Sequence, residues 1–176
     1  CESQTALTEV LPEGTLRRAA SLTHWISENA KTARAYLKRI DALFPLAAPL
    51  QAQNIVELPR EAHKKGDHGN KGAAVFDPKP LLAAALAGQD MGLISEAGMP
   101  AVADPGSSIV RAAHDLDIRV VPLTGPVSLL LGLAASGLNG QNFAFTGYLP
   151  VDAQDRSQRI RELESLALKT GQTQLF

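Results

Sequence analysis

The chain has a single cysteine, Cys1, and aromatic residues make up only 5% of its 176 positions. One thiol excludes an internal disulfide and a cysteine-based zinc cluster, and it suits a reducing compartment. So few rings exclude a platform that reads single-stranded RNA by stacking several bases. Charge of one sign is lacking too: 17 Lys and Arg stand against 18 Asp and Glu, for a formal net charge of -1. Bulk electrostatics therefore give no attraction to nucleic acid, and only a local basic face could supply one. The longest nearly unbroken apolar run, Val127 to Ala135, falls far short of the ~20 residues of a membrane helix. No charged-then-apolar leader opens the chain, and the sequence reads as soluble and cytoplasmic.

What is present is 45% hydrophobic residues, set in short runs that alternate with amphipathic stretches. That rhythm predicts an α/β fold: a mostly parallel sheet with flanking helices, plus the beginning of a second α/β domain. Helices are expected over 15–20, 29–43, 79–87, 107–116, 126–136 and 152–168. Strands are expected over 22–26, 54–58, 91–95, 118–122, 142–146 and 173–176. The rhythm loosens between Gly137 and Pro150, which divides the chain into an N-terminal domain, 1–140, and a hinge with the start of a C-terminal domain, 141–176. Arg60 to Asp77 is polar, with three glycines and two histidines, and reads as an exposed, mobile loop.

The most informative segment runs from Gly92 to Gly106. An apolar strand ending at Ser95 is followed by a carboxylate (Glu96), two glycines and two prolines before the next helix. In open parallel sheets, ligands sit beyond the carboxyl ends of strands. Gly98 and Gly106 would let backbone approach such a ligand, and Glu96 could accept hydrogen bonds from a ribose or an amino group. An ordinary strand-to-helix turn would use the same residues for its geometry. A second turn, Val120 to Ser128, again sets a proline-started helix after an apolar run, so the two bends would share one crevice.

Other chemistries find little support. Neither the glycine-rich dinucleotide signature nor the phosphate-loop signature occurs. His63 and His68 lie five residues apart in a lysine-bearing segment, which is poor ligand spacing, so no metal is expected. Ser95, Asp104 and His114 form no defensible triad, and no catalytic group is assigned. Lys31, Arg34, Lys38 and Arg39 make a basic face on the helix over 29–43; a solvated face is the simpler account, phosphate contact with RNA the functional one.

Four ordered motifs resemble the tetrapyrrole (corrin/porphyrin) methylase superfamily: Ser95 to Gly106, Val121 to Pro126, Ala135 to Leu138 and Phe145 to Pro150. Within it the chain looks like the branch of ribosomal small-subunit RNA 2'-O-methyltransferases and their short paralogues, with Ser27 to Arg34 matching the segment after the second strand. The resemblance implies S-adenosylmethionine as methyl donor, held in a cleft between two α/β domains, in a homodimer. It implies cofactor binding by Glu96, Ala97, Gly98 and Met99, by Asp104 and Pro105, and by Val127 and Ser128. Glu96 stands where that branch usually carries aspartate. The implied activity is methylation of rRNA at a ribose 2'-hydroxyl, for which Lys31, Arg34 and Lys38 of the basic face are the candidate RNA contacts. A small-molecule methyltransferase of the tetrapyrrole type and a non-catalytic paralogue remain the alternatives. By the same resemblance, the family's first strand would precede Cys1 and most of its second domain would follow Phe176, so residues 1–176 alone are expected to be inactive.

Overall fold

The computed structural model describes residues 5–59 and 76–176. The expected loop over 60–77, with His63 and His68, falls almost wholly outside the described residues. Contacts divide the chain into two compact units, Cys1–Pro126 and Val127–Phe176.

The first unit is built on a parallel sheet of β1 (His24–Ser27), β2 (Asn54–Glu57) and β3 (Met91–Ile94), in the order β2-β1-β3. Trp25 lies opposite Ile55 on one side and Gly92 on the other. The central strand is buried on both faces, as parallel sheets require. Trp25 joins a cluster with Leu7 of α1 (Leu7–Val10), Leu16 and Ala19 of α2 (Glu13–Ala20), and Leu37 and Ile40 of α3 (Ala30–Asp41). Ile26, the next residue, joins the opposite cluster with Leu58, Leu82, and Ile109 and Ala112 of the helix Ser107–Asp115. Helices therefore cover both faces of the sheet, the α/β architecture read from the alternating pattern.

Local chemistry explains the element ends. Asn29 caps α3: its side-chain oxygen accepts from the N–H groups of Lys31 at 2.9 Å and Thr32 at 3.2 Å. The helix expected over 79–87 begins instead as a tight 3-10 turn, Lys79–Leu82, and becomes α-helical only as α4 (Ala83–Leu86). Pro80 removes a backbone donor from its first turn. The helix Ser107–Asp115, α5, starts from Gly106 at φ +123.

The strand expected over 118–122 is not formed, and that segment joins no ladder among the described residues. Ile118 packs on the second cluster and its N–H bonds back to Ala113, while Val120 and Val121 remain exposed. Apolar content makes a strand only where a neighbouring edge supplies hydrogen bonds, and Pro122 has no N–H to offer one.

The second unit contains α6 (Ser128–Ser136) and a βαβ motif: β4 (Phe143–Phe145), α7 (Ala153–Thr170) and β5 (Thr173–Leu175), with β4 and β5 parallel. Asp152 caps α7 by accepting from Gln154 and Asp155 N–H groups, which holds its carboxyl below the ordinary range. Gly171, at φ +67, ends the helix and returns its N–H to Ala167.

Candidate functional site

The carboxyl ends of the three parallel strands meet the amino end of α3. Glu28, just past β1, donates its N–H to the carbonyl of Ile94 at 3.2 Å. Glu96, just past β3, donates its N–H to the Glu28 carboxylate at 3.2 Å. The Glu96 carboxylate in turn accepts from the Thr32 hydroxyl in the first turn of α3. Glu57, at the end of β2, accepts from the Ala30 N–H at 2.6 Å. Two carboxylates thus sit at the positive end of a helix dipole, and the free N–H groups there are taken by Asn29 and Glu57. The backbone N–H groups of Ala30, Lys31 and Thr32 are therefore not free to form an anion site.

The bend from Glu96 to Gly106 has unusual backbone. Gly98 and Gly106 are at φ +81 and +123, and so, less expectedly, are two alanines at positive φ, Ala101 at +68 and Ala103 at +57. Alanine in the left-handed region costs about 1 kcal/mol or more and persists where surrounding structure dictates it. Here Ala101 N–H bonds to the Pro105 carbonyl and Val102 N–H to that of Met99, folding the bend over itself. Asp104 lies on its inner side, 3.5 Å from where a Cβ on Gly98 would fall.

Desolvation holds the Asp104 carboxyl above its ordinary range; a hydrogen bond from Ser95 opposes this and the Glu28 charge reinforces it. The folded protein thus keeps that proton to a higher pH than the unfolded chain does, so ionisation at neutral pH costs stability. Asp104→Asn is expected to raise the melting temperature at pH 7 by roughly 1 °C, with the gain shrinking as the pH falls through the raised Asp104 range and gone below about pH 4. A lower melting temperature for the variant at pH 7 would contradict this assignment.

Six of the eight residues singled out for cofactor binding, Glu96 to Met99 with Asp104 and Pro105, share this bend. Glu96, Ala97 and Gly98 are exposed, and Met99, Asp104 and Pro105 half-buried. Val127 and Ser128 begin the second unit: Val127 precedes α6 and accepts from the Leu130 and Leu131 N–H groups, and Ser128 is exposed. Lys31, Arg34 and Lys38 are exposed on one face of α3. His24 begins β1, at the opposite end of the sheet from the bend, and His114 is exposed on α5. Among the described residues no group of three or more His, Cys, Asp or Glu side chains is placed to hold a metal ion. No described helix is long and apolar enough to cross a membrane.

Sequence reading missed Glu57 and Ser27. Ser27 ends the central strand, and its buried hydroxyl has no hydrogen-bond partner among the described residues. Nothing in the sequence marks Glu57 as a helix partner, because the contact joins residues 27 positions apart.

Parallel strands covered by helices on both faces, with a glycine- and carboxylate-bearing bend at their carboxyl ends, define an open α/β domain consistent with a methylase fold. No family model matches the chain. Its homologues carry the name ribosomal RNA small subunit methyltransferase I. That of Mesorhizobium japonicum is 42% identical over 104 residues, covering 59% of this chain and 32% of the relative. The one from Pseudomonas aeruginosa is 44% identical over 77 residues, 44% of this chain and 27% of the relative. The one from Synechocystis is 36% identical over 97 residues, 55% and 33% respectively. The match spans about a third of the length of these relatives.

Proposed function

We propose that this chain carries the cofactor-side part of an S-adenosylmethionine-dependent methyltransferase that methylates small-subunit ribosomal RNA at a ribose 2'-hydroxyl. The observation that carries the reading is the homology to proteins named ribosomal RNA small subunit methyltransferase I. The bend adds chemical support. Glu28, Glu96 and Asp104 supply carboxylates to one bend, a donor set suited to a sulfonium cation, an amino group and ribose hydroxyls, and unsuited to phosphate. The residues present therefore fit the cofactor.

In this reading Glu96 to Met99 line the cofactor together with Val127 and Ser128, and Asp104 and Pro105 shape its wall. The cofactor, when bound, supplies the activated methyl group. The protein's part is to hold the acceptor hydroxyl in line with it, because orientation lowers the barrier to displacement most. Lys31, Arg34 and Lys38 contact the RNA backbone. The enzyme works in the cytoplasm on the ribosomal subunit, as a homodimer.

The test is transfer of label from S-adenosylmethionine by the product of the full open reading frame that encodes this chain. The expected result is label on small-subunit rRNA, at a nucleotide whose 3' phosphodiester resists alkali. Label on a precorrin-type acceptor and none on RNA would overturn the RNA reading. Label on neither would overturn the methyltransferase reading.

A further inference from the structure

An open groove of ≈ 710 Å³ runs between α3 and the edge strand β2, lined by Ala30, Lys31, Arg34, Ile55, Val56 and Glu57. Its residues come from elements already placed, but three of them belong to no motif. Three properties of the groove converge on one kind of occupant.

The first is charge. Other arginines of the first unit are engaged: Arg17 with Glu13, Arg18 with Asp90, and Arg39 with the Thr5 carbonyl. Lys31 and Arg34 differ. Among the described residues neither forms an ion pair, and Arg34 makes only a 3.4 Å bond to the Ala30 carbonyl one turn back. Two unpaired cations at i and i+3 on one helix face suit phosphate oxygens.

The second is the floor. Ile55 pairs with Trp25 and so shares the sheet face that α3 covers; it is half-buried and lines the groove beside the cations. A flat apolar group would remove the rest of that side chain from water.

The third is the strand edge. Asn54 and Leu58 send their N–H groups to Thr23 and Ser27 of the central strand region. In a parallel ladder alternate residues face opposite sides, so Ile55 and Glu57 direct their backbone groups away from β1. β2 ends the sheet among the described residues, and these donors and acceptors border the groove. A planar ring with hydrogen-bonding edges, joined to a phosphate, matches all three properties.

We propose that this groove seats an unpaired nucleotide of the RNA substrate, with its phosphate held by Lys31 and Arg34, its base against Ile55, and its edge read by the backbone of Ile55 and Glu57. The proposal rests on the RNA reading above and adds to it a base-dependent contact on an edge strand. Placement supports it: the first turn of α3 reaches Glu57 through the Ala30 N–H and Glu96 through the Thr32 hydroxyl. One helical turn therefore touches both the groove and the bend assigned to the cofactor. Bases buried in a duplex cannot present these edges, so the occupant is single-stranded.

The test is fluorescence anisotropy of the chain with a short labelled single-stranded RNA, without cofactor, over a range of salt. Lys31→Ala with Arg34→Ala is expected to weaken binding about tenfold and to lower the salt slope by about 1.4. Ile55→Thr is expected to weaken binding about threefold with the slope unchanged, and Ile55→Val to leave it near the level of the parent chain. An abasic RNA of the same length should bind about fivefold more weakly than the complete RNA. Equal binding of abasic and complete RNA would overturn the proposal, as would preference for an uncharged extended peptide, which would assign the edge to strand addition. Failed methyl transfer with this pattern intact would sink the enzyme and keep the groove. Successful transfer with RNA binding indifferent to Lys31 and Arg34 would do the reverse.

Discussion

Gly92→Ala is expected to destabilise the first unit by about 2–3 kcal/mol, among the largest effects of any single methyl group added to this protein. A Cβ at Gly92 would fall 2.4 Å from both Cε3 and Cζ3 of Trp25, its direct neighbour across the β1–β3 ladder, and 3.1 Å from Leu22 Cδ1. The ring cannot swing aside. Trp25 is 4% exposed, packs with α2 and α3, and donates its indole N–H to Gln53 Oε1 at 3.0 Å. Relief would require the ladder to open or that hydrogen bond to break. Urea unfolding measures the loss, and a Gly92→Ala, Trp25→Leu double variant should lose less than the two singles combined. Strict additivity would show that the contact is not the cause.

The second large effect lies at the bend. Gly106→Ala is expected to cost about 2 kcal/mol, because φ +123 is a conformation that side chains avoid. A Cβ there would also stand 3.0 Å from Leu93 Cδ2, at the last turn of chain before α5. The strain would be transmitted to Ala101, whose N–H bonds to the carbonyl of Pro105. Reshaping this loop should weaken S-adenosylhomocysteine binding about tenfold, if the bend holds the cofactor as proposed. Titration calorimetry on the full reading-frame product separates the two effects. Lost stability with unchanged ligand affinity would place the cofactor elsewhere.

Local signals in the sequence determined the order and boundaries of most elements. Asn29 and Asp152 could be read as helix starts, because a cap is made within a few residues of the backbone it serves. The apolar rhythm determined a parallel sheet buried on both faces, since Trp25 and Ile26 must each find a core. The glycines and prolines of 92–106 marked the bend, although not the left-handed alanines within it. Only tertiary structure decided what those elements touch. The stretch 118–122 carries strand-forming residues and makes no strand, because a strand is completed by an edge that lies elsewhere in the chain. Glu57, Ile55 and Val56 match no motif, and become a groove only when α3 settles beside β2. Contacts between residues far apart in sequence depend on packing the whole domain at once, and no local pattern carries that information.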